Sequence, residues 1–158
     1  MTYTTRTIME DDHGLLYSSY LKSSWPRNSE LAYTEHCTVS HARMRRCMAA
    51  SNVIALCLVD DDAPGWVGGW IVGHGRPTGF ALHYVYVKLD YRKLGHGSSL
   101  VAAARALVTG TRLCVTHPLT VGVDGGARAR EWLQGMLHAE RVPLSSVLDE
   151  HDEHAGAM

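Results

Sequence analysis

Residues 83–100, His83-Tyr84-Val85-Tyr86-Val87-Lys88-Leu89-Asp90-Tyr91-Arg92-Lys93-Leu94-Gly95-His96-Gly97-Ser98-Ser99-Leu100, restrict the folds open to this chain more than any other stretch. Tyr84 to Val87 are aromatic or β-branched, the residue types that suit a pleated, half-buried strand. From Ser98 the chain runs through Leu100, Val101, Ala102, Ala103, Ala104, Ala106, Leu107 and Val108 with no breaker before Gly110, which predicts a helix. The connection between them, Arg92-Lys93-Leu94-Gly95-His96-Gly97, is basic and carries two glycines.

A strand, a glycine turn and a helix in that order make a phosphate site on physical grounds. The first amides of a helix have no partner inside it and point outward along its axis. The helix dipole adds partial positive charge at that end. Glycines remove the Cβ atoms that would hold a phosphate oxygen away from those amides. Arg92 and Lys93 add two full charges.

The pattern Arg92-x-x-Gly95-x-Gly97, five residues after Val87 and leading into an alanine-rich helix, resembles the acyl-CoA-binding motif of the GCN5-related N-acetyltransferases. The resemblance implies a site for acetyl-CoA or a related acyl-CoA. Backbone groups of Val85, Tyr86 and Val87 would meet the pantetheine arm along a bulged strand. Arg92, Lys93, Leu94, Gly95, His96, Gly97 and Ser98 would hold the pyrophosphate. His96 would act through its backbone amide; family members usually carry an apolar residue there, so its side chain departs from the pattern and is expected to be exposed to phosphate. Leu15 to Trp25, taken with His83 to Val87, is also similar to acetyltransferase-like proteins encoded by bacteriophages, one branch of which, related to the phage Mom protein, modifies adenines in DNA.

Length bounds the rest. At 158 residues the chain predicts one domain, with residues 1–144 as the acyltransferase unit and 145–158 as an acidic, flexible tail. The formal net charge of −1 argues against a protein built to coat nucleic acid or anionic membrane. No apolar run approaches the roughly 20 residues of a membrane span, and Met1 to Arg6 does not read as a signal peptide. Cys37, Cys47, Cys57 and Cys114 are scattered without a Cys-x-x-Cys spacing, which predicts reduced packing residues and a cytoplasmic setting.

Taken in order, Thr2 to Ile8 predicts a strand. Leu15 to Trp25 predicts a helix ended by Pro26, and a second helix follows over about Glu30 to Ala50. Val53 to Val59 is continuously apolar, as in a strand covered on both faces. Asp60 to Gly65 reads as a turn, Trp66 to Val72 as a strand, and Gly75 to Gly79 as another turn. After the strand and helix described above come a short strand at Arg112 to Thr116, a loop at Pro118 to Gly126 and a helix at Ala127 to His138. Val142 to Val147 is a weak candidate for one more strand. The expected fold is α/β, a mixed, mostly antiparallel sheet flanked by helices in the order β-α-α-β-β-β-α-β-α. This is the order of the acetyltransferase family, in which the fourth and fifth strands splay apart around the acyl-CoA.

Amine acetylation needs a neutral amine, a proton acceptor and help for the departing thiolate. The candidate catalytic residues are His83 and Tyr84, beside the expected thioester, and His117 at the end of the fifth strand. Histidine titrates near pH ~6.5 and is a suitable base. Many family members supply an acid from a tyrosine after the fifth strand. This chain has no tyrosine beyond Tyr91, leaving Tyr84, Tyr86, Ser98, His117 or water for that role. The ten histidines form no metal-ligand spacing, so no metal is expected. The expected acceptor is an amine of unspecified class, with direct transfer and no covalent enzyme intermediate; a homodimer is compatible with edge strands. Lys22, Arg27, Arg43, Arg45 and Arg46 lie on the early helices and read either as a solvated face or as a surface for an acidic acceptor such as DNA. The alternatives are a base-modifying enzyme of the same fold and a non-catalytic domain that binds a CoA-like ligand or a protein partner.

Overall fold

The continuous apolar run at Val53–Asp60 is strand β2, and alternation explains it. Ala55, Cys57 and Val59 face one layer, with Leu16 and Tyr20 of helix α1 (His13–Ser24) and Met44 and Cys47 of helix α2 (Tyr33–Ala49). Leu56 and Leu58 face the other, with Leu100, Val101 and Ala104 of helix α3 (His96–Arg105). Neither face meets water, so no polar residue interrupts the strand. Removing a leucine such as Leu16 or Leu100 from water contributes about 2 kcal/mol. The computed structural model describes residues 2–24, 32–116 and 140–148.

The sheet has six strands in sequence order: β1 (Tyr3–Thr7), β2, β3 (Ala63–Arg76), β4 (Gly79–Val87), β5 (Arg112–Val115) and β6 (Glu140–Arg141). The first four are mutually antiparallel. β5 then runs parallel to β4, and β6 parallel to β5. This is the expected mixed, mostly antiparallel sheet between helices.

Several expected boundaries move. β3 and β4 together extend from Ala63 to Val87, and the turn between them shrinks to Pro77 and Thr78. Gly75 and Gly79, expected in the turn, are strand residues: the Gly75 N–H bonds the Asn52 carbonyl at 2.9 Å, and a Cβ on Gly79 would collide with the Arg112 backbone. The weak strand candidate at Val142 to Val147 is corrected: residues 144–148 are helical, and the added strand is Glu140–Arg141. Val147 and Leu148 are buried, Val147 against Ala81 and Cys114, so packed chain runs past 144 to 148. The predicted helix at Ala127 to His138, the loop at Pro118 to Gly126 and the rest of the acidic tail lie outside the described residues.

Two polar pairs fix the layers. Arg6 grips the Asp12 carboxylate through both guanidinium branches, at 2.6 and 3.1 Å, tying β1 to the start of α1. The Arg6 guanidinium holds the Asp12 carboxyl below its usual range. On the other side of the helical layer, His74 is fully buried and its Nε2 lies 3.1 Å from the Cys47 carbonyl of α2. Burial pushes the His74 pKa down from 6.5. The unfolded chain therefore takes up a proton that the folded chain refuses, and stability must fall as pH drops below about 6.5. His74→Gln keeps a donor for the Cys47 carbonyl but does not titrate. Thermal melts between pH 7.5 and pH 5 should show a shallower loss of stability in His74→Gln than in the parent; equal slopes would assign the loss to other groups.

Candidate active site

The candidate site begins where β4 and β5 part. β5 pairs with β4 only from Gly79 to Leu82. The last backbone bond runs from Thr116 N–H to the Leu82 carbonyl, at 3.0 Å. Among the described residues, nothing from β5 pairs with His83–Val87, which leaves one edge of that segment facing a fork. One side-chain bond lies just past the last rung: His83 Nδ1 and Thr116 Oγ1 are 2.7 Å apart.

The β3–β4 register slips at the same level. Val72 pairs with Tyr84 and Gly73 with Leu82, so His83 is an extra residue in β4, a β-bulge. Leu82 packs on the α3 side, as do Val85 and Val87. Tyr84 packs on the α1 side. The His83 ring lies 5.6 Å from Tyr20 of α1, and the Tyr84 ring 5.2 Å from the same side chain. The bulge thus puts two successive side chains on one face, which a regular strand cannot do. Both predicted catalytic residues of β4 stand there, and both are buried, at 2% and 5% exposure. His117 lies outside the described residues.

Backbone direction sorts the predicted pantetheine contacts. Tyr86 pairs with Trp70, and Lys88 donates its N–H to the Gly68 carbonyl of β3 at 2.8 Å. The backbone groups of Val85 and Val87, one residue out of phase, therefore point into the fork. Tyr86 contributes its side chain, stacked on Trp70 with ring centroids 5.0 Å apart and half-buried on the α1 face. Trp70 is fixed in turn by its indole N–H, which donates to Ser19 Oγ of α1 at 3.0 Å.

The strand leads into a turn with an unusual backbone. Lys93 has φ 66° and Gly95 φ 80°, both in the left-handed region. Glycine accepts that conformation freely; lysine adopts it at a cost, and such strain gathers at functional sites. Gly95 is the N-cap of α3 and no side chain caps the helix there, so the first amides of α3 are left for an outside acceptor. A Cβ on Gly97 would meet only a Val87 methyl, at the ordinary contact distance of 3.9 Å. Packing against the neighbouring elements therefore does not demand glycine at 97, and the space over it is open. Lys93, Leu94 and Ser98 are exposed around this end.

One expectation about the turn is corrected. The His96 side chain is not exposed to phosphate: it is buried, with its ring 4.6 Å from that of Tyr3 and 6.5 Å from that of Tyr91. It does the packing that an apolar residue would do under the helix, and only its backbone amide remains at the turn. Reasoning from sequence also missed the direction of Arg92, whose Nε donates to the Val87 carbonyl at 2.8 Å. No signal in the sequence marks that contact.

Cys47, Cys114 and the arginines of α2 stand apart from the fork. Burial pushes the Cys47 thiol up to about 12 and the Cys57 thiol up to about 11, so neither is a thiolate at neutral pH. Cys114 is buried and its sulfur accepts a hydrogen bond from Arg76 at 3.3 Å. Arg43, Arg45 and Arg46 are exposed near Cys47. The Cys47 carbonyl meets His74, which pairs with Ala81, and Ala81 pairs with Cys114. That is the closed end of the β4–β5 pairing, opposite the fork. Arg27 lies outside the described residues, which include no group of three or more His, Cys, Asp or Glu side chains suited to a metal ion and no helix long and apolar enough to cross a membrane.

Comparison with known proteins agrees with this geometry. Residues 15–134 match the Acetyltransferase (GNAT) family. No curated protein sequence matches the chain. Among solved structures, the fold is similar to a protein of Pyrococcus furiosus assigned as an acetyl transferase, with a TM-score of 0.57 and 12% identity over 90% of this chain and 97% of the other. It is similar to the PaiA N-acetyltransferase of Thermoplasma acidophilum in complex with coenzyme A, with a TM-score of 0.53 and 14% identity over 85% and 89% of the two chains. It is also similar to AAC(6')-Iy in complex with a bisubstrate analogue, CoA-S-monomethyl-acetylneamine, with a TM-score of 0.53 and 13% identity over 89% and 92%. At these identities the structures speak for the fold, and the family match, which spans most of the chain and takes in the fork, the turn and the uncapped helix, carries the rest: the chain belongs to the GNAT family of acetyltransferases and is an acetyl-CoA-dependent acyltransferase.

Proposed function

We propose that the protein moves an acetyl group from acetyl-CoA directly to an amine. The observation that carries this reading is the continuous path from the fork edge at Val85 and Val87, through the left-handed turn at Lys93 and Gly95, to the uncapped first amides of α3. The pantetheine arm lies along the fork edge and the pyrophosphate on the amides of residues 95–98. The Val85 N–H, which points into the fork nearer His83, polarises the thioester carbonyl. The amine arrives from the α1 face and attacks that carbon, the C–S bond breaks, and the thiolate leaves with the CoA. No cysteine is acylated.

His83 is the proton acceptor in this scheme. It stands on the α1 face where the strands part, and its hydrogen bond to Thr116 holds the ring in one orientation. Tyr84 packs behind it, against Tyr20. The acceptor is an amine on a small molecule or a peptide. In favour of that over a nucleic acid is the position of the arginines of α2, away from the fork.

Two variants test the donor and acceptor halves separately. Gly97→Leu fills the approach to the helix end without an internal clash. It should weaken CoA binding at least about thirtyfold, roughly 2 kcal/mol, while thermal stability changes little; calorimetry showing unchanged affinity would remove the turn as the phosphate site. His83→Ala should lower kcat about a hundredfold or more, the range of a lost general base. Its pH–rate profile should flatten while CoA affinity stays close to the parent's, and a profile of unchanged shape would exclude His83 as the base.

A further inference from the structure

The first residue of the turn motif is committed elsewhere than to phosphate. Arg92 Nε donates to the Val87 carbonyl at 2.8 Å, and its guanidinium carbon lies 5.7 Å from the centroid of the Tyr86 ring. Both partners belong to the end of β4. The Lys88 N–H is taken by Gly68 on β3, so the Val87 carbonyl on the same peptide points the opposite way, into the fork. Arg92 therefore occupies the last backbone acceptor on the exposed edge. A planar guanidinium donates in its plane and covers an aromatic face at once, which an ammonium cannot do. Tyr86 is stacked on Trp70, and Trp70 is bonded to Ser19, so one chain of contacts runs from α1 to the strand end and the turn.

We infer that Arg92 is a positioning residue: it locks the open edge of β4 and masks the Val87 carbonyl, so that this edge ends on the Val87 N–H. The exposed Lys93 is then the cation that faces the phosphates. The inference rests on reading the fork as the pantetheine site. A bare carbonyl at Val87 would leave the strand end untethered where the pantetheine arm enters the fork. Bonding that carbonyl to a cation holds the strand end still where, among the described residues, no strand pairs with that edge.

Two ligands separate this role from phosphate binding. CoA contains the pantetheine arm; 3′-phosphoadenosine 5′-diphosphate carries the same nucleotide and diphosphate without it. By calorimetry, Arg92→Gln should weaken CoA binding about tenfold, or roughly 1.4 kcal/mol, and leave the diphosphate within about twofold of the parent. Arg92→Lys, which keeps the charge and loses the planar fork, should not restore CoA affinity. Lys93→Gln should weaken both ligands by the same factor. Equal weakening of both ligands by Arg92→Gln, restoration by Arg92→Lys, or no change in either ligand would overturn the inference. If the parent protein binds neither ligand, the acyl-CoA reading itself fails, and amide exchange in the free protein decides the strand-locking role. Exchange at Lys88, whose N–H is bonded to Gly68, about tenfold faster in Arg92→Gln supports the lock, and unchanged exchange refutes it.

Discussion

The site depends on two neighbouring strands that stop pairing at a defined rung. β4 and β5 run together for four residues of β4, Gly79 to Leu82, and among the described residues the Thr116–Leu82 bond is the last backbone contact between them. Backbone groups in a dry interior need partners, so a strand edge that β5 leaves at this rung, next to a helix end, is a candidate binding edge. Everything that approaches the edge fits that demand: the uncapped start of α3, the open space over Gly97 and the arginine that takes the final carbonyl. On the closed side the same strand is paired along its whole length to β3. The sheet is thus rigid on one side of β4 and open on the other, which is what a fixed template for a long, flexible cofactor arm needs.

Much of this was legible because it is local. The strand, the glycine turn and the helix follow one another within 26 residues, 83–108, and each reports its conformation through its own residue types: β-branched and aromatic, then glycine, then alanine. The covered strand β2 was legible for a similar reason, since burial on both faces leaves an uninterrupted apolar run. What escaped was set by partners distant in sequence. Gly75 is expected in a turn and is strand, its N–H bonded to the Asn52 carbonyl at 2.9 Å. His96 looked like a phosphate contact and is a packing residue, because Tyr3, from the first strand of the chain, covers its ring. Arg92 was read as a charge, while its contacts depend on the direction in which the Val87 carbonyl points. Ring stacking and carbonyl direction leave no trace in spacing or composition.

The bulge is the clearest case of a global fact with a chemical consequence. Continuing the alternation back from Val85 and Val87 would turn His83 to the α3 face, and continuing it forward from Leu82 would turn Tyr84 there. In neither register could His83 and Tyr84 both meet Tyr20 on the α1 side. The single extra residue at His83 resolves the conflict: it sends both side chains to the α1 face and leaves the valines that follow against α3. The sheet then separates its tasks by side. The turn and the helix end that suit a phosphate gather around α3, and the ring that suits a proton gathers under α1, with the fork between them. A residue inserted elsewhere in β4 would leave the turn motif intact and turn the histidine away from Tyr20, so the register at Val72 and Gly73, as much as the motif, sets which side chains the α1 face of the fork presents.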